Sequence, residues 1–163
     1  MAVVYSTEQT VINGPQSGLN PATRIKANKI NGRVRIFEAS YTVVGTVAIG
    51  DKIIWGKLPV GARTIGNAGK LYFAAGAASS TLNLGDNASA ARHLAATAVT
   101  SAGSAVPEAA NAAGAQFETS DDTASLANGF VSATDNCTLI STVAGATLQV
   151  GQVITLRMPY VQD

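Results

Sequence analysis

From Arg33 onward the chain consists of short runs of β-branched and aromatic residues, broken by glycine, proline or small polar residues at intervals of roughly ten. Runs this short leave no room for long amphipathic helices, and their residue types suit a pleated, half-buried surface. The expected strands are residues 33–44, 53–55, 63–65, 70–75, 80–84, 137–143, 147–150 and 152–158, with Leu58–Arg63 as a loop feeding the third. Many short strands at this spacing predict an all-β protein, an antiparallel β-sandwich of jelly-roll type, and argue against a parallel α/β fold.

Two stretches depart from this pattern. Residues 1–32 carry four closely spaced turn signals, Asn13-Gly14-Pro15, Ser17-Gly18, Asn20-Pro21 and Asn31-Gly32, which allow no long element. They are expected to form an extended N-terminal arm that needs a surface to lie on, either its own domain or a neighbouring subunit, leaving 33–163 as the sandwich domain. Residues 87–99 and 107–113 are alanine-rich, with Asp86 or Asn87 and Pro107-Glu108 placed as helix starts. They are expected to form a short helical or irregular insertion. A strand entry is expected at 113–117 and a surface loop at 119–128.

Composition narrows the function. Only 13% of the residues are charged and 6% aromatic, so the 47% hydrophobic fraction rests mainly on Ala and Val. The core must therefore be thin and close-packed. One histidine, one cysteine and one tryptophan supply few catalytic side chains. The chain is expected to be a structural or binding protein and not an enzyme, with no catalytic, cofactor or metal residues assigned and no cofactor. Cys137 has no second cysteine to pair with and is expected to be a small buried hydrophobe. No basic start or apolar run marks a secretion signal, and no window approaches a membrane span of about 20 apolar residues. A soluble protein made in a cytoplasm, without membrane contact, is expected.

The net charge of +1 hides a strong asymmetry. Residues 1–70 hold nine Lys or Arg against three acids, a net of +6; residues 71–163 hold two against seven, a net of −5. The densest cationic stretch is Arg24, Lys26, Lys29, Arg33 and Arg35, five cations in twelve residues without an acid. Such a stretch suits a solvated face or an acidic protein partner. Nucleic acid is a poorer match, because five charges release few counterions and no aromatic lies among them to stack on bases. These five residues are the candidate partner-contact site.

The remaining motifs carry no clear chemistry. His93 has no second histidine and no acid closer in sequence than Asp86, so a zinc site or a Ser-His-Asp relay is not visible locally. A surface or loop-packing role is expected. Asp121, Asp122 and Asp135 lack the EF-hand spacing and suit a polar loop. Gly66-Asn67-Ala68-Gly69-Lys70 lacks the phosphate-loop spacing and is expected to be a hairpin-type turn. Trp55 and the four tyrosines suit core and sheet-face packing better than a sugar-stacking platform.

Several pieces, taken together, carry a resemblance. They are Val4-Tyr5-Ser6-Thr7-Glu8-Gln9, Gly32-Arg33-Val34-Arg35, Lys57-Leu58-Pro59-Val60-Gly61-Ala62-Arg63, Leu82-Asn83-Leu84-Gly85-Asp86 leading into Ala91-Arg92-His93-Leu94, and the closing strand after Gly151. In these the chain resembles small virion structural proteins of tailed bacteriophages, of the head decoration or cement type. The resemblance implies a non-enzymatic protein docked on an assembled shell, with the major capsid protein and its own copies as partners and a homotrimer favoured. It also implies a place on the capsid surface of the virion, after a host-cytoplasm stage during assembly. A host-glycan-binding module of a phage fibre or appendage is the alternative.

Overall fold

The computed structural model describes residues 33–108 and 137–162. They form nine strands: β1 (Arg33–Thr42), β2 (Lys52–Lys57), β3 (Arg63–Thr64), β4 (Lys70–Phe73), β5 (Thr81–Gly85), β6 (Leu94–Ala98), β7 (Gly103–Ala105), β8 (Thr138–Ala144) and β9 (Val153–Gln162). One sheet runs β1-β9-β4-β7, with β3 also on β9, and the other runs β2-β8-β5-β6. All pairings are antiparallel. Setting β3 aside, the first strand pairs with the last, the second with the seventh, the third with the sixth and the fourth with the fifth. This nesting is a long hairpin rolled up on itself, the jelly-roll expected from the strand spacing.

Period-two patterning explains which faces meet. In β4 Leu71 and Phe73 point inward, in β2 Ile53 and Trp55, and in β9 Ile154, Leu156 and Met158. Together with Leu82, Leu84, Leu139 and Val143 they fill the space between the sheets. Trp55 is in this core, and its indole N–H donates to Ser141 Oγ at 2.8 Å, which removes the cost of burying a donor. Cys137 is fully buried, as expected of a small hydrophobe. Gln152 links the sheets by a polar route: its amide nitrogen donates to the carbonyls of Ala74 and Val99, both at 2.9 Å.

Pro159 lies inside β9, where a missing N–H would ordinarily break a ladder. Its carbonyl accepts from Ile65 N at 2.8 Å, so its nitrogen faces the same side. On that side the neighbouring strand is interrupted: β3 ends, a 3-10 turn covers Gly66–Ala68, and β4 begins. The donor is absent where no ladder asks for it. Gly69 closes the gap, since a Cβ there would sit 2.8 Å from the Arg157 carbonyl and 3.2 Å from the Pro159 ring.

The structure corrects several sequence expectations. The 66–70 glycine motif is this 3-10 turn between collinear strands and does not make a hairpin. Residues 147–150 are loop, and β9 extends to Gln162. The alanine-rich stretch is irregular only through His93, after which Leu94–Ala98 forms β6. There the pairing with β5 overrides the helix preference of alanine, helped by Asn83 Oδ1 accepting the Ala96 N–H at 2.6 Å. Of the second helical expectation, Pro107 and Glu108 form a turn; the rest lies outside the described residues, as do the expected arm and the elements at 113–117 and 119–128.

Candidate docking surfaces and a buried polar tie

The five candidate cations divide at the edge of the described structure. Arg24, Lys26 and Lys29 lie outside it, while Arg33 and Arg35 open β1, both exposed and neither in an ion pair among the described residues. They stand on the same side of the sheet as Phe37, Ala39 and Tyr41, which pack against the core. On the other side of β1, Val34 and Ile36 are 64% and 51% exposed. Further along that outer face Glu38 meets Arg157, its direct cross-strand partner, at 3.8 Å.

A second apolar surface lies at the far end of β1. The loop after it is bonded to the β8–β9 loop through Leu148 N to Val47 O and Gly151 N to Val43 O. The tips of these loops expose Val44, Ile49 and Val150. Beside them is an open hollow of about 350 Å³ lined by Tyr41, Val47, Asp51, Lys52, Ile53 and Ile54.

The chemistry-bearing residues converge in a third, buried place that was not apparent from the sequence. Glu108 Oε1 accepts from Thr64 Oγ1 at 2.7 Å and from His93 Nδ1 at 2.7 Å, and its Oε2 accepts from Gly66 N at 2.9 Å. Both side chains of the His93–Glu108 pair are 3% exposed. Burial by itself raises the carboxyl pKa, but the hydrogen bonds from His93, Thr64 and Gly66 and the charge of His93 outweigh it and hold Glu108 below the usual carboxylate value. The carboxylate is the hub, with hydroxyl and imidazole both aimed at it, unlike a relay in which the imidazole stands between the other two.

This tie joins β3 and the 3-10 turn of one sheet to the segment entering β6 of the other. His93 is therefore a buried packing residue, which corrects the surface half of the expectation for it. Asp86 is the acid nearest to His93 in the sequence, but it is committed to Arg92 and to the Ser89 N–H. The true partner is fifteen positions on, in a segment that sequence assigned to a helix start. A left-handed Glu108 backbone, φ 58°, turns the carboxylate inward. Among the described residues no cluster of three or more His, Cys, Asp or Glu is arranged to hold a metal ion, and Asp121, Asp122 and Asp135 lie outside them.

A chain in the solved structure titled "Cyanophage Pam1 capsid asymmetric unit" superposes on this one with a TM-score of 0.60. The two are 22% identical, and the match covers 90% of this chain and 99% of that chain. The likeness is one of fold. No protein-family model and no curated protein matches the sequence.

Proposed function

We infer that the protein is a non-enzymatic virion structural protein that docks on an assembled phage capsid and stabilises or decorates it. The observation that carries this reading is the near full-length correspondence of fold with a chain from a phage capsid structure. The surface chemistry supports it. A sandwich with 13% charged residues strands few charges when its faces are covered, so close contact with neighbours costs little desolvation. The N-terminal arm, the basic segment Arg24–Arg35 and the apolar loop tips then contact the major capsid protein and neighbouring copies, the protein acting as a symmetric oligomer, with a trimer favoured. Many copies on one lattice turn modest single-site affinity into firm retention.

The glycan-binding alternative loses its best platform, because Trp55 is in the core and bonded to Ser141. The decisive experiment adds the purified protein to shells that lack it and counts occupancy by electron microscopy, using the full chain and a chain without residues 1–32. Full-chain density at regular lattice positions, reduced on deletion, supports the reading. Absence of the full chain from shells overturns it.

A further inference from the structure

Two-residue β3 aside, the four sheet edges formed by the described residues are not alike. β7 is three residues long. β6 is five residues long, its ladder with β5 shifts register between Leu82 and Leu84, and Ala96 has φ 42°. β2 is six residues long and interrupted by a bulge between Ile54 and Gly56. Each has a device that discourages a further strand. β1 has neither shortness nor irregularity: ten residues hold continuous register against β9, from Arg33 opposite Gln162 to Thr42 opposite Val153. It contains no proline, and among the described residues its other edge is unpaired.

A long, regular edge flanked by exposed Val34 and Ile36 is an acceptor for an added strand. We propose that the free edge of β1 receives the Val3–Ile12 segment of a neighbouring copy of this chain. Three features favour that occupant. Val3–Ile12 is Val-Val-Tyr-Ser-Thr-Glu-Gln-Thr-Val-Ile, a stretch that precedes the turn signals, is as long as β1, and holds seven β-branched or aromatic residues in its ten. Its one charge is Glu8, opposite in sign to Arg33 and Arg35 on the receiving strand.

The third feature distinguishes a neighbour from the same chain. The connecting residues 13–32 carry Arg24, Lys26 and Lys29. Folding back along the same β1 crowds these against Arg33 and Arg35, whereas leading away separates all five; like charges extend a linker. Twenty such residues reach about 25 Å as a flexible coil and up to ~70 Å extended, enough to cross to an adjacent sandwich. Handed from copy to copy, the segment closes a ring of any small number of subunits.

This deepens the reading above by naming the contact between copies, and its test uses purified protein without shells, so failure here leaves shell docking standing. The full chain and a variant lacking residues 1–12 are compared by light scattering at micromolar concentration, with circular dichroism confirming an unchanged β spectrum. The expected result is an oligomeric mass for the full chain and the single-chain mass for the deletion. In a second arm, Thr7→Cys chains are mixed with Ser40→Cys chains and joined with a short bismaleimide, Cys137 being buried and out of reach. A product of about two chain masses, absent when either variant is treated alone, supports exchange. Retention of oligomeric mass by the deletion, a full chain already at single-chain mass, or coupling confined within a Thr7→Cys/Ser40→Cys double variant overturns it.

Discussion

Glu108 shows how much one side chain contributes when the fold closes around it. Its carboxylate receives three hydrogen bonds from two sheets, and their combined effect exceeds the desolvation that burial imposes. Because the folded carboxyl is held below its ordinary value of 4.5, the stabilisation is fully present above that value. It is lost as the pH falls through the lower, folded value. Urea denaturation should therefore show stability declining on acidification below the ordinary carboxylate range. Glu108→Gln removes the charge and leaves His93 and Thr64 with a weaker acceptor, at a cost of about 1.5–3 kcal/mol near neutrality. The variant should also lose its share of the acid dependence; an unchanged pH profile would show that the tie is not ionised. None of this was visible in sequence, because the partners of His93 and Glu108 are set by the meeting of two sheets and not by spacing along the chain.

At the scale of strands and turns, the legible part is the alternation. Ile154, Leu156 and Met158, or Leu71 and Phe73, announce an inward face whatever their neighbours do, and from such runs the sandwich followed. β7, Gly103-Ser104-Ala105, has no β-branched residue and owes its conformation to pairing with β4. β6 is hidden by alanine in the same way, and the β3–β4 interruption makes sense only opposite Pro159, about ninety residues away. Turns too differ in what their glycines must avoid. Gly145 follows β8 with φ 73°, and a Cβ there would lie 2.3 Å from the Ser79 carbonyl oxygen. Gly151 has φ 87° with open space around it. Gly151→Ala should cost about 1–2 kcal/mol from the left-handed backbone alone. Gly145→Ala should cost distinctly more, because the backbone facing it must also move. Parallel denaturation curves for the two variants check the ordering, and equal midpoint shifts would refute the close contact.

For the whole molecule, the question is whether stability and docking use different residues. The core lies between the sheets and involves neither Arg33 nor Arg35, which are exposed and outside any described ion pair. Reversing both charges, Arg33→Glu with Arg35→Glu, should leave the unfolding free energy within about 0.5 kcal/mol of the parent. On shells the same change should act strongly. If the cations meet an acidic surface, each reversal replaces attraction with repulsion, and the effect is repeated in every copy of an oligomer bound through several sites. Retention is then set by the product of those local terms, so a modest loss per site becomes a large loss of occupancy. Raising the salt should weaken parent binding as well, since exposed charges are screened over about 10 Å at 0.1 M. Occupancy on purified shells, counted for parent and double variant at two ionic strengths, separates the contributions. Loss of both occupancy and salt dependence places the contact at the start of β1. Unchanged occupancy instead assigns docking to the apolar loop tips at Val44, Ile49 and Val150, whose grip should be indifferent to salt.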